Sequence, residues 1–226
     1  MALEANVPHL NITLDNTTGS VLVEHPERLP QRLRQNLEGL LGSGGDMGCA
    51  RPTTLLRVRP ATNEELAAER CLRVAGCYHN SLIEGPGRRS SALLGGCDLA
   101  CHGCWVPHLH PSEAGTLVPA DRLAEALLNP AYHRDGVSIL GGEPFMQPDG
   151  LQALVRALRN RGRPHIVCYS GRTYEELLRR ARTQPAIREV LDEIDILIDG
   201  PYVEALANSA GPWTGSGNQR VIELRK

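Results

Sequence analysis

The alternation of apolar and polar positions changes character near residue 70. Ahead of that point, 9–15 (HLNITLD) and 53–59 (TTLLRVR) alternate with the period-two pattern of short strands. Between them, residues 27–41 place Leu29, Leu33, Leu37, Leu40 and Leu41 close to helical spacing, and LGSGGDMG then breaks the run. Thr62-Asn-Glu-Glu fits the capping box of a further helix start. The pattern predicts a small N-terminal α/β appendage over residues 1–70, without a constellation of chemistry-bearing side chains.

From Cys71 onward a short apolar strand, a glycine-containing turn and an amphipathic helix recur. Strands are predicted at 72–76, 90–94, 137–140, 165–169, 194–198 and 220–224. Helices are predicted at 119–128, 151–160 and 173–181, the last opening on the capping box Thr173-Tyr-Glu-Glu. Short strands alternating with helices imply an α/β core over 71–226 built on a parallel sheet with helices outside it. Ligands of such folds collect at the carboxyl ends of the strands, so the residues just after each strand are the candidates for chemistry.

Composition narrows the setting. A chain of 226 residues with 41% hydrophobic content and a formal net charge of -2 suits a globular protein with one sizeable core, and no basic run favours nucleic acid. No segment approaches the roughly 20 apolar residues of a membrane span, and MALEANVPHL lacks the pattern of an export signal, so no membrane association and a cytoplasmic location are expected. Seven cysteines, three of them clustered, suit metal binding or catalysis in a reducing compartment better than a disulfide framework.

That cluster, GGCDLACHGCW over 95–105, follows the strand predicted at 90–94. Cys97, Cys101 and Cys104 fall short of the four ligands of a closed zinc site, but three thiolates can hold a cubane iron–sulfur cluster with one iron left open. Zinc completed by His102, His108 or His110 is the alternative, and three buried structural thiols are a weaker one in a loop carrying Gly-Gly, Asp98 and His102. After the strand at 137–140 comes GGEP, 141–144. Its glycines let a ligand approach the backbone, and Glu143 offers a carboxylate to an ammonium group. Cys49, Cys71, Cys77 and Cys168 lack paired spacing and read as buried thiols.

Cys97-x3-Cys101-x2-Cys104 followed by Gly141-Gly142-Glu143-Pro144 resembles the radical S-adenosylmethionine enzymes. EGPGRRSSALLGGC (84–97), Trp105, YSGRTYEEL (169–177), DILIDGPYV (195–203) and GSGNQRVIEL (215–224) narrow the resemblance to the activating proteins of glycyl radical enzymes, in particular of anaerobic ribonucleoside-triphosphate reductase. The resemblance implies a partial (β/α) barrel of the radical S-adenosylmethionine type. It also implies a [4Fe-4S] cluster on Cys97, Cys101 and Cys104, with S-adenosyl-L-methionine on the open iron. The implied reaction cleaves S-adenosylmethionine reductively to methionine and a 5′-deoxyadenosyl radical, which abstracts hydrogen from a backbone glycine of a partner. That partner would be a glycyl radical enzyme like the anaerobic ribonucleotide reductase, and the reductant a flavodoxin or ferredoxin-type protein.

By the same resemblance, Gly141, Gly142, Glu143 and Pro144 serve the methionine end, and Ser170 and Gly171 lie along the ligand. His102, Gly103 and Trp105 are the candidates near the adenine, and Asp199 with Gly200 stands where the glycine loop enters. Two departures keep other readings open: Val106 stands where that family commonly has asparagine, and residues 1–70 have no counterpart in it. A radical enzyme acting on a peptide or small metabolite is one alternative. A cluster protein that only carries electrons is another, against which the intact GGEP argues.

Overall fold

The computed structural model describes residues 12–15, 20–23 and 70–225. The chain divides into two compact units, Met1–Thr54 and Leu55–Lys226. In the first, β1 (Ile12–Asp15) and β2 (Ser20–Val23) pair as an antiparallel hairpin, with β1 inside the strand predicted at 9–15. The predicted helix over 27–41, the strand over 53–59 and the helix start at Thr62 lie outside the described residues.

In the second unit, four short apolar strands run parallel side by side: β4 (Arg89–Leu94), β6 (Gly136–Gly141), β7 (His165–Tyr169) and β8 (Ile196–Asp199). Their alternate residues serve two faces, as the period of two demands. Ala92, Leu94, Val137, Ile139, Ile166, Cys168 and Leu197 join the main core with the helices, whereas Val167, Ile196 and Ile198 pack separately with Tyr169 and Trp213. The helices are α1 (Ala120–Leu127), α2 (Pro148–Arg161), α3 (Tyr174–Arg180) and α4 (Pro185–Glu193). They supply the crossovers that parallel strands require.

The sheet is mixed rather than wholly parallel. β3 (Cys71–Ser81), β5 (Thr116–Pro119) and β9 (Arg220–Glu223) flank the parallel strands in the order β5-β3-β4-β6-β7-β8-β9, all three pairing antiparallel. The turn from β3 to β4 is too short to hold a crossover, which obliges the chain to reverse. β3 also runs past its predicted end, because two register shifts, between Val74 and Gly76 and between Tyr78 and Ser81, interrupt the alternation that would have signalled it. The segment ahead of α1 is strand β5, so helix begins only after Pro119. Thr173 caps α3, accepting the Glu176 N–H at 3.3 Å, as its capping box predicted. Among the described residues no helix is long and apolar enough to cross a membrane.

One end of the inner face is plugged. Gly85, at φ +132°, leaves no slack: a Cβ there would stand 3.0 Å from Val167 Cγ2 and 3.3 Å from Arg89 Nε. The Glu84 carboxylate accepts from the Tyr78 and Ser91 hydroxyls, and its carbonyl accepts from Ser138 Oγ. Arg89, fully buried, donates to Ser138 Oγ and to the carbonyls of Val137 and His165. Burial lowers its pKa to about 10. Because Arg89, Gly136 and His165 open β4, β6 and β7, this packing fills the amino ends of the strands and leaves the carboxyl ends for a ligand.

Candidate functional site

A cavity of about 180 Å³ lies at those carboxyl ends, and Cys97, Cys101 and Cys104 all line it. All three are half-buried free thiols. Their loop is seated by backbone hydrogen bonds on two neighbouring turns. Gly96 N–H donates to Leu109 O at 2.8 Å and Cys97 N–H to His110 O at 3.0 Å, while Glu143 N–H donates to Gly96 O at 2.8 Å. Cys104 N–H reaches Cys101 O at 3.2 Å and folds the second half of the motif into a turn. Burial raises the Cys97 thiol above its ordinary pKa, but the Leu99 and Ala100 N–H groups aimed at its sulfur work the other way. Arg172 clamps the loop from the β7 side. Its guanidinium donates to Asp98 Oδ1 at 2.6 Å and to Glu176 Oε1 at 2.7 Å.

GGEP is built into this seat. Gly141 and Gly142 line the cavity, and Gly142 has no room for a side chain because a Cβ would lie 2.2 Å from Gly96 O. Glu143 is fully buried and is not part of the cavity lining. Its carboxylate accepts the N–H groups of Phe145 at 3.0 Å and Gly171 at 2.8 Å, and the Ser170 hydroxyl at 3.0 Å. Burial raises its pKa, opposed by those donors and by the Arg172 charge. Glu143 therefore ties the turn after β6 to the turn after β7, and the glycine backbone is what GGEP presents to the cavity. Pro144 is buried and starts the short 3-10 turn Pro144–Met146.

Of the other predicted residues, Ser170 and Gly171 line the cavity. Asp199 does not; it is fully buried, accepting the Tyr174 N–H at 2.6 Å and Arg220 Nε at 2.9 Å. His102, Gly103 and Trp105 abut the chain after β8 outside the lining. His102 Nδ1 stands 2.9 Å from Glu204 Oε2, a Cβ on Gly103 would meet Glu204, and the Trp105 indole N–H donates to Tyr202 OH at 3.2 Å. Trp105 is 72% exposed.

Leu99, Val106, His110, Leu140, Tyr169, Tyr202 and Gln219 complete the lining. Leu140 and Tyr169 sit at the predicted ends of β6 and β7, so the strand-end rule reaches them, whereas Gln219 precedes β9 and comes to the same edge only because β9 runs antiparallel to β8. His110 carries no such signal, yet among His102, His108 and His110 it alone lines the cavity, and its Nε2 is buried without a hydrogen-bond partner. Three thiols around one hollow, N–H donors aimed at one sulfur and an orphaned imidazole nitrogen together fit an iron–sulfur cluster. Among the described residues no three His, Cys, Asp or Glu side chains converge to hold a single metal ion.

Comparison with known proteins agrees with that donor set. Residues 83–222 match the 4Fe-4S single cluster domain. The chain is 30% identical over 154 residues to the anaerobic ribonucleoside-triphosphate reductase-activating protein of Salmonella typhimurium, spanning 66% of this chain and 96% of that one. The protein of the same name from Escherichia coli strain K12 is 29% identical over 154 residues, with the same coverage. A Haemophilus influenzae protein named for activating a glycyl-radical enzyme is 37% identical over 91 residues, 39% of this chain and 34% of that one. The chain therefore belongs to the single-cluster 4Fe-4S family that includes the anaerobic ribonucleoside-triphosphate reductase-activating proteins.

Proposed function

We propose that this protein is a radical S-adenosylmethionine enzyme that activates a glycyl radical enzyme of the anaerobic ribonucleotide reductase kind. The observation that carries the reading is the meeting of three free cysteines and the GGEP backbone around one cavity. Bound together, a [4Fe-4S] cluster and S-adenosyl-L-methionine supply one-electron cleavage of a carbon–sulfur bond and thus a radical able to remove hydrogen from a C–H bond.

Cys97, Cys101 and Cys104 would hold the cluster. The Leu99 and Ala100 N–H groups favour the thiolate that Cys97 must become, and Arg172 fixes the loop through Asp98. Gly141 and Gly142 give the amino acid end of the ligand a backbone to lie on, with Ser170 and Gly171 beside it. Glu143, Pro144 and Asp199 are positioning residues that keep the turns after β6, β7 and β8 in place. Leu99, Val106, Leu140 and Tyr169 wall the site with apolar surface that excludes water. His102, Gly103 and Trp105 form a rim that meets the adenine or the incoming loop. On this reading the sheet is the partial barrel of the radical enzymes, residues 1–70 are an appendage to it, and a cytoplasmic flavodoxin or ferredoxin-type protein supplies the electron.

The test is anaerobic. Wild type and Cys101→Ala are reconstituted with iron and sulfide, reduced and given S-adenosylmethionine, and 5′-deoxyadenosine is quantified. A purified anaerobic ribonucleotide reductase is then added and its glycyl radical sought by electron paramagnetic resonance (EPR). Nucleoside and radical from the wild type alone are expected. A loaded wild-type cluster that binds no S-adenosylmethionine would sink the enzyme reading, and nucleoside without a glycyl radical would sink the choice of partner.

A further inference from the structure

We infer that His110 donates a hydrogen bond from Nε2 to sulfur of the bound cluster and thereby sets its reduction potential. The inference rests on the cluster reading above. Buried polar atoms are almost always partnered, and leaving one orphaned is destabilising. His110 Nε2 is such an atom, in the lining that holds Cys97, Cys101 and Cys104.

The other polar side chains of that lining already have protein partners. Ser170 Oγ donates to Glu143, Tyr169 OH donates to Trp213 O at 3.0 Å, and Tyr202 OH accepts from Trp105. Gln219 donates to Gly200 O and accepts from the Gly215 and Ser216 N–H groups. Apart from the cysteines, His110 is thus the lining side chain left with a buried polar atom that no protein group satisfies.

The backbone that carries the ring is also held there. His110 N–H bonds Pro107 O at 3.1 Å and its carbonyl takes the Cys97 N–H, so the residue is fixed beside the first thiol of the motif. Leu109, 3% exposed, anchors the turn in the core. In the Nε2–H tautomer the imidazole is a donor. A donor to sulfur stabilises the reduced cluster, which carries more negative charge, over the oxidised one. One such bond is worth about tenfold in the ratio of reduced to oxidised cluster at fixed solution potential, equivalent to about 59 mV for a one-electron couple.

The experiment uses the full chain, reconstituted anaerobically, as wild type, His110→Phe and His110→Gln. Phe keeps a ring and removes the donor, whereas the Gln amide returns an N–H near Nε2. Iron and sulfide are counted first; each sample is then titrated with dithionite at poised potentials, without S-adenosylmethionine, and followed by EPR. At the wild-type midpoint the Phe variant should show a reduced-to-oxidised ratio about tenfold lower, and Gln should recover much of the difference.

A Phe variant that titrates like the wild type overturns the inference. So does an unchanged potential with weakened S-adenosylmethionine binding, which would assign His110 to that ligand. If His110→Phe assembles no cluster, pulsed EPR on the reduced wild type labelled with 15N-histidine decides, since absence of any histidine nitrogen coupling is equally fatal. A wild type with no [4Fe-4S] signature would instead reject the cluster reading itself.

Discussion

Substituting Gly142 by alanine should disable the site through its foundation rather than its chemistry. A Cβ at this position would lie 2.2 Å from Gly96 O, 2.8 Å from Gly96 C and 3.2 Å from Leu109 O. These are all backbone atoms, so no flexible side chain can yield. The struck carbonyl is the one that accepts the Glu143 N–H at 2.8 Å, and separating the two turns by roughly 1 Å breaks that bond. Overpacking costs roughly 1–3 kcal/mol and the hydrogen bond about 1 more. In a folded unit of this size such a loss lowers Tm on the order of 10 °C. Calorimetry on apo protein reads the stability, and iron and sulfide per chain after reconstitution read the site. Gly142→Ala should melt early and take up less than about half the wild-type iron if the seat moves as argued. Gly211→Ala, whose nearest neighbour would be Thr214 Oγ1 at 3.8 Å, is the control. A Gly142→Ala protein that keeps wild-type Tm and iron refutes the claim that the cysteine loop is seated on GGEP.

Replacing Arg172 with methionine should leave the fold standing but release Asp98, so that a reconstituted cluster loses iron to a chelator several-fold faster; adding Asp98→Asn should change little further if the two act as one clamp. His79, fully buried and stacked on Tyr132 at 4.0 Å, has its pKa lowered to about 4, first by burial and then by Arg134. A depressed folded pKa means this stability is intact above the unfolded value of about 6.5 and is lost as pH falls through about 4, up to roughly 3 kcal/mol. Urea denaturation of wild type and His79→Phe at pH 7.5 and 4.5 checks it: the variant should lose much less stability on acidification. Trp105→Ala removes an exposed ring, so Tm should hold within about 1 °C. On the proposed function, the yield of glycyl radical on the partner, read by EPR, should fall.

What the chain disclosed about itself followed from how local each determinant is. The strands at β4, β6 and β7 are apolar runs bounded by glycine or polar turns, and the cysteines and GGEP follow two of them, so the site's position was readable from the strand-end rule. β3 was truncated because its register shifts break the period of two, and β5 is too short to alternate visibly. α4 is absent from the predicted elements although Pro185 opens it and Ala186, Ile187, Val190 and Leu191 repeat on one face. Side-chain direction was the larger gap. Glu143 turns inward because Ser170 and Gly171, 27 and 28 residues away, offer their donors there. Asp199 is claimed by Arg220, 21 residues on. Nothing near either residue announces those partners. Nothing in the sequence separates His110 from His102 and His108 for a similar reason: its significance lies in lacking a partner, which only the surrounding lining reveals.

The plug of Glu84, Gly85 and Arg89 at the amino ends of the strands bears on the order of events. With that end filled, traffic at the inner face must use the carboxyl end, where Trp105, Tyr202 and Glu204 form the rim. On the proposed function, the small ligand and the partner's glycine loop then share one doorway. The loop can be seated only over a ligand already in place, and the spent nucleoside can leave only after the loop withdraws. Each docking would activate one partner at most, and release of the activated enzyme would govern turnover.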